Sequence, residues 1–318
     1  PVLGTSGIME ILDTAPDEIR RPLCLIKGHS YAAAWVPAQQ DGDVTQALVL
    51  VRDDGVLFSD EPIADARLTK ELGIEIHLPE VPPPGRGWSG AGVKNYVAGK
   101  RADPVDVFHR VRDVVGWFID FDRSIGSPQD MADLVALYVL ATYFLDAFTV
   151  IGYLWPTGDL GVGKTQTLGV ITELGYLGCL ILSGGTFATL RDMADYGALL
   201  AFDDAESIMD ERRIDPDKRA LFLTGTRKGT HTTVKEQRGE GNWVTRYVHA
   251  YCARAFSAIR LPDPVLGSRT ITVPLVRSTD RAKSSRAPQD HSCWPHDRRR
   301  LVDDLFALAL ANLEAVRN

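Results

Sequence analysis

The sequence predicts an α/β protein, with a parallel sheet flanked by helices in its second half and a smaller β-rich region ahead of it. Three observations carry this. Beyond residue 149, short apolar runs alternate with amphipathic stretches, as strands joined by crossover helices do. Residues 158–165 read Gly-Asp-Leu-Gly-Val-Gly-Lys-Thr, a G-x-x-x-x-G-K-T loop between a strand-like and a helix-like run. Residues 22–58 alternate in short β-like runs separated by turn signals.

Taken in order, the runs 22–27, 30–36, 46–51 and 55–58 predict a small antiparallel sheet, with turns at Lys27-Gly28, 40–43 and 53–55. The Pro- and Gly-rich stretch 81–92 reads as a linker. Helical apolar spacing follows at 103–121 and 129–145, the first opened by the cap-then-proline pair Asp103-Pro104. Strands are expected at 149–155, 178–183, 197–202, 250–258 and 270–276. Helices are expected at 163–174, 186–195 and 216–226, with a last amphipathic helix at 297–316. The domains this suggests are a β-rich region at 1–102, a helical collar at 103–148, a core at 149–280 and a C-terminal helical segment at 281–318.

Composition narrows the class. With 45% hydrophobic and 24% charged residues, the 318-residue chain reads as a soluble globular protein of one large or two smaller domains. It opens at Pro1, as a piece of something longer would. No basic, apolar, small-residue leader is visible, and Cys24, Cys179, Cys252 and Cys293 are widely spaced without a C-x-x-C, so a cytoplasmic protein with reduced thiols is expected. His291, Cys293 and His296 crowd together, but a zinc site wants a fourth ligand and better spacing, and a polar linker is the better reading. The apolar stretch 134–155 is long enough to span a bilayer. It carries Asp146 and runs straight into the glycine-rich loop, so it is read as a buried helix at 131–145 followed by the first core strand, and no membrane partner is expected.

Net charge is −7, against blanket nucleic-acid binding, but it is uneven. Residues 1–150 carry 13 Lys and Arg against 22 Asp and Glu, whereas residues 226–260 carry seven basic against two acidic. A local basic element in an acidic chain points to a focused site.

The chemistry of the loop follows from its residue types. Its glycines let backbone N–H groups turn inward around a phosphate chain, Lys164 supplies charge to β and γ phosphates, and Thr165 offers a hydroxyl to Mg²⁺. Gly158, Gly161, Val162, Gly163, Lys164, Thr165 and Gln166 are the candidate nucleotide-binding residues, with a nucleotide and Mg²⁺ as the implied ligands. A second Mg²⁺ element is expected at a neighbouring strand tip, and the apolar run 198–202 ends in Asp203-Asp204-Ala-Glu206. Asp203 is the candidate metal ligand with Thr165. Asp204 is the candidate to orient or deprotonate the attacking water, with Glu206 as its rival.

Residues 229–249 read as two β-rich arms around Gly239-Glu-Gly241. Strand, phosphate loop, acidic strand tip, basic hairpin, then Leu261-Pro-Asp-Pro-Val-Leu-Gly-Ser268-Arg269 before a strand together resemble an AAA+ ATPase. The closest likeness is to superfamily 3-type helicase modules of phage and plasmid primase-helicases, over about residues 105–280. The resemblance implies ATP hydrolysis within a homo-oligomeric ring, a hexamer, that acts on single-stranded or forked DNA during replication of a mobile element, and it leaves open whether a primase domain once preceded Pro1. It implies that Arg269 is an arginine finger lent to the neighbouring subunit, with Arg277 a weaker candidate. It also implies a sensor position at Ser257, where Asn or Thr is commoner. The hairpin would enter the ring's channel, with Lys235 and Arg238 gripping phosphates and Arg246 supporting them. Trp243 either stacks on a base or packs down on its own domain. The alternative is a non-helicase AAA+ switch, a loader, initiator or regulatory ATPase that remodels a protein partner. A plain kinase leaves the Ser268-Arg269 segment unexplained.

Overall fold

The structure, a computed structural model, describes residues 15–40, 42–59, 68, 71–78, 86–181, 186–203, 205, 216–237, 241–258 and 262–317. The N-terminal region starts with β1 (Asp17–Ile19). An antiparallel meander follows in the order β2 (Leu23–Ile26), β3 (His29–Gln40), β4 (Asp43–Arg52) and β5 (Leu57–Phe58). The β2–β3 turn is Lys27-Gly28 with φ of 51° and 78°, the paired positive angles that a two-residue hairpin turn needs. β6 (Ile74–Ile76) pairs in parallel with β1.

Successive residues of a strand face opposite sides, and here both sides are buried. Leu23, Ala32, Ala34, Val49 and Val51 enter the main core, while Cys24, Tyr31, Ala33, Leu50 and Phe58 close a smaller one with Ile19, Leu68 and Ile74. One face of the antiparallel sheet is therefore packed against the rest of the chain at its β2 end, while the far end of the β3–β4 ribbon is exposed.

Three capped helices follow. Ser89 caps α1 (Gly90–Val97), and Asp103 caps α2 (Pro104–Phe118) with Pro104 in the first turn. Ser127 and Asp130 form a reciprocal capping box on α3 (Pro128–Tyr143). α3 is the buried helix expected from the long apolar stretch, and among the described residues no helix is long and apolar enough to cross a membrane. Asp146 is explained by its partners. Its carboxylate accepts from Leu25 N on the edge strand β2 at 2.8 Å and pairs with Lys228 Nζ at 2.8 Å.

The core alternates as expected. β7 (Tyr153–Thr157), α4 (Lys164–Leu174), β8 (Cys179–Ile181), α5 (Phe187–Asp195), β9 (Leu200–Phe202) and α6 (Pro216–Thr224) come first. The hairpin β10 (His231–Gln237) and β11 (Trp243–His249) follows, then β12 (Arg254–Phe256), α7 (Pro264–Gly267), β13 (Thr270–Pro274), α8 (Arg281–Ser284) and α9 (Arg298–Arg317). The five-stranded sheet has the order β13-β7-β12-β9-β8 and is parallel throughout. With helices flanking it, the arrangement is consistent with a phosphate-loop core. Its strands are short apolar runs because both faces are covered. Trp155, Phe202 and Phe256 stack across three of them, with Phe222 of α6 edge-on to Phe202 and Phe256. α9 closes the other side, placing Phe306 against Trp88, Tyr143 and Tyr176.

Candidate nucleotide site and basic hairpin

β7 delivers the chain to the glycine-rich loop at the carboxyl end of the sheet. Gly158, Gly161 and Gly163 all hold positive φ, at 145°, 78° and 90°, a region that side chains disfavour. At Gly158 space is limiting as well, since an added Cβ would lie 2.8 Å from the Leu275 carbonyl. Gly163 is the N-cap of α4 and offers no side-chain cap bond, so the first-turn N–H groups of this helix point outward without an intrahelical acceptor. Such a helix end is suited to an anion. Lys164 Nζ folds back over the loop, donating to the carbonyls of Gly158 at 2.8 Å and Asp159 at 2.9 Å. Gln166 Nε2 donates to the Arg286 carbonyl at 2.9 Å, which ties the helix start to the segment after α8.

The strand order brings the remaining groups to the same end. β12 lies between β7 and β9, so the tips of three strands converge. Asp203, just beyond β9, accepts from Thr165 Oγ1 at 2.7 Å through Oδ2 and from Ser257 Oγ through Oδ1. Ser257, just beyond β12, is buried, while Thr165 is exposed and Asp203 is half-buried. These residues fit a magnesium nucleotide: open backbone donors, a cation, and a hydroxyl already beside a carboxylate. Asp204 and Glu206 lie outside the described residues.

Arg269 stands at the other end of the sheet. Its carbonyl accepts from Tyr153 N at 2.8 Å, at the start of β7, whereas the loop begins after Thr157. At ~3.3 Å per residue, about 13 Å of strand separates the two. Its guanidinium donates to the Val265 carbonyl of its own short helix and borders a cavity of about 460 Å³ with Val150, Thr226, Arg227 and Ser268. Arg277 is exposed and follows β13 on the loop's own side, next to the stretch where Leu275 N donates to the Thr157 carbonyl at 2.8 Å.

The hairpin pairs in register from His231↔His249 to Gln237↔Trp243. Lys235 is exposed, and Trp243 is 60% exposed rather than packed down. Arg246 turns to the protein, where its guanidinium meets Asp195 of α5 at 3.1 Å while His249 N donates to the same carboxylate at 3.1 Å. Arg238 lies outside the described residues. The imidazoles of His231 and His249 face each other at 4.5 Å. Burial, and the charges of Arg21, His231 and Arg20, hold His249 below the ordinary histidine value against the pull of Asp195.

The residues of the 291–296 cluster part company. His291 meets Glu173 at 3.0 Å, His296 meets Asp113 at 3.3 Å, and the Cys293 thiol points to the Asp290 carbonyl at 3.1 Å. Sequence reasoning missed the network around Glu173, at the end of α4. This carboxylate is 5% exposed and is held by Arg86 at 2.5 Å, Arg298 at 3.1 Å and His291. It also missed Arg254, fully buried on β12, which donates to the Ala250 carbonyl at 2.9 Å and to the Tyr153 hydroxyl. Neither has a local signature.

No protein-family model and no curated protein matches the chain. Among solved structures it is similar to a JCV helicase with a bound thiazolopyridine-phenoxyphenyl acetamide, at 14% identity and a TM-score of 0.30, over 66% of this chain and 55% of that one. A second inhibitor-bound JCV helicase is similar at 14% identity and a TM-score of 0.30, over 64% and 53%. The apo NrS-1 C-terminal region is similar at 9% identity and a TM-score of 0.32, over 83% and 63%. The chain thus spans between about half and just under two thirds of the chains it matches. At these values the likeness to helicase structures is loose.

Proposed function

We propose that the chain is a Mg²⁺-dependent ATP hydrolase of the AAA+ type, a ring-forming helicase or translocase that acts on single-stranded or forked DNA in the replication of a mobile element. The observation that carries this reading is the Asp203 carboxylate, shared by Thr165 of the phosphate loop and Ser257 of the intervening strand. In this reading the core is 149–280, with the β-rich region at 1–102 and the collar at 103–148 ahead of it and the helical segment 281–318 behind. ATP is the substrate. The backbone N–H groups of the loop and Lys164 would take its β and γ phosphates. Thr165 and Asp203 would hold Mg²⁺, which when bound draws charge from the phosphate oxygens. Asp204, or Glu206, would position the attacking water.

Arg269 fits a role in the neighbouring subunit. The length of β7 keeps it from its own loop, and its guanidinium lies at the rim of a cavity at the opposite end of the sheet. A cation brought to the γ-phosphate from outside stabilises charge developing in the transition state. The hairpin, with Lys235 and Arg238 near its turn, would meet the strand in the channel. Copies of one basic hairpin would collect positive charge there while the outer surface stays acidic.

The test is size and turnover together. With Mg²⁺ and a non-hydrolysable ATP analogue, the protein is expected to assemble into a hexamer, and single-stranded DNA is expected to raise ATP turnover. A monomer under every condition, with turnover indifferent to DNA, would overturn the ring.

One feature favours a second reading. The far end of the β3–β4 ribbon is solvent-exposed, with Val44 at 75%, and would suit a docked protein partner of an AAA+ switch. Strand displacement on forked DNA separates the two, because robust ATP turnover without unwinding favours the switch.

A further inference from the structure

We propose that the outward face of the β10–β11 ribbon, continued at its base by Arg20, is a stacking platform for a single nucleic-acid strand. The proposal deepens the nucleic-acid reading above and rests on it.

The ribbon has two unlike faces. Paired residues of an antiparallel ribbon lie on one side, and the sides alternate along each strand. On one side Val248 is fully buried and Arg246 is bonded to Asp195, so this side docks on α5. The other side carries His231, Thr233, Lys235 and Gln237 opposite His249, Tyr247, Thr245 and Trp243. All eight are exposed except the half-buried His249, and none is a carboxylate. Trp243 is 60% exposed and Tyr247 is 66% exposed, two large rings left in water on the same side of one strand. A monomeric protein has little reason to present two such rings together unless something covers them.

The accompanying charge identifies the partner. Lys235 stands across from Thr245, between the two rings. At the base, Arg20, His231, Tyr247 and His249 line one cavity of about 420 Å³ with Thr245 and Arg246. Arg20 and His249 also border an adjoining cavity of about 290 Å³ with Arg21 and Lys228. Glu18 and Asp146 bring carboxylates there, and Lys228 is paired with Asp146 at 2.8 Å, so the cationic part of the surface is the Arg20 side. Arg20 is ion-paired with Glu18, which holds the guanidinium in place at the groove while offsetting its charge, so a phosphate there competes with that carboxylate. Aromatic rings interleaved with cations suit a partner that offers flat bases and a regular row of phosphates. The rings lie four positions apart along β11, about 14 Å at ~3.4 Å per residue, so a strand spans them with several nucleotides. The N-terminal region, whose role the sequence did not reveal, thereby joins the binding surface.

The test uses the full chain and two fluorescein-labelled probes of equal length, oligo(dT) and its abasic counterpart, read by anisotropy. Wild type is expected to bind oligo(dT) more tightly than the abasic strand. Tyr247→Ala should weaken oligo(dT) binding roughly 5- to 150-fold, the range for loss of one base–aromatic stack, and leave the abasic affinity unchanged. Tyr247→Phe should keep wild-type affinity, which separates the ring from its hydroxyl and from any folding defect. Arg20→Ala should weaken both probes and lower the slope of log K against log salt by about 0.7, the value for one phosphate contact on a single strand. If wild type, Tyr247→Ala and Arg20→Ala bind oligo(dT) equally, the platform is overturned and the nucleotide site is untouched. If wild type binds neither probe, the platform and the nucleic-acid reading fall together.

Discussion

Thr165 donates its hydroxyl hydrogen to Asp203 across 2.7 Å, although 38 positions separate the two in the chain. Ser257 donates to the other oxygen of the same carboxylate, so Asp203 is held on both sides and cannot rotate freely. Ser257→Ala removes one of those donors without touching the phosphate loop. The apparent affinity of ATP turnover for Mg²⁺ is expected to fall about 10- to 100-fold, the usual cost of losing a group that orients a metal ligand. Turnover at saturating Mg²⁺ should stay near wild type. A Mg²⁺ titration that overlays on wild type would make Ser257 a packing group and nothing more.

The separation of Arg269 from its own loop by the length of β7 gives a mixing experiment. Lys164→Ala is expected to abolish turnover, and Arg269→Ala is expected to do so with nucleotide binding largely intact. Neither variant alone should hydrolyse ATP. A mixture should recover part of the activity, because the loop of an Arg269→Ala subunit can face the intact arginine of a Lys164→Ala subunit. Mixtures as inactive as their components, under conditions where the subunits exchange, would place Arg269 outside the reaction.

These two relationships differ in how far they could be read from sequence. The loop and its helix were legible because glycines, Lys164 and Thr165 lie within eight residues and the flanking runs have their own periods. The sequence reading places the helix at 163–174, and it spans Lys164–Leu174. The Thr165–Asp203–Ser257 contact was not legible, because it depends on β12 inserting between β7 and β9, a non-local choice. The first strand was expected at 149–155 and runs Tyr153–Thr157, since Val150 and Ile151 are taken up by pairing with 226–227 at the foot of the hairpin. β1 and β6, three residues each, are too short to show a period. Counting charge found the basic hairpin but could not show that Arg246 meets Asp195 while Lys235 faces solvent.

Gly225 lies against the buried Arg254. A Cβ at Gly225 would fall 1.7 Å from Arg254 Nη1 and 2.6 Å from the Ala250 carbonyl that this guanidinium binds. The arginine is enclosed by Tyr153 and Phe222, 5.3 and 5.8 Å from their ring centres, and has no room to withdraw. Gly225→Ala is therefore expected to destabilise the protein by about 2–4 kcal/mol, through overpacking and loss of a buried polar contact. The check is the urea midpoint of the variant against wild type. The clash is shared between the Arg254 side chain and the Ala250 carbonyl, so Gly225→Ala should cost less, though still something, in an Arg254→Ala background, with a coupling of about 1–3 kcal/mol. Additive effects would place the strain in the backbone instead.

Glu173 sets a pH dependence whose sign follows from its surroundings. Burial pushes its carboxyl up, but the hydrogen bond and charge of Arg86, with Arg298 and His291 behind them, outweigh burial and hold it below the ordinary glutamate value. A carboxyl whose folded value is lowered releases its proton more readily in the folded state than in the unfolded one. Its contribution to stability is then fully present above the unfolded value of about 4.3 and is lost as pH falls through the lower folded value. Glu173→Gln keeps the size of the side chain and removes the charge, leaving Arg298 buried without its counter-ion. The melting temperature of the variant should lie below wild type at neutral pH. The gap should close as pH falls below about 4, where wild type also loses the charge. A gap of constant width down to pH ~3 would mean that the network stabilises the end of α4 by packing rather than by charge.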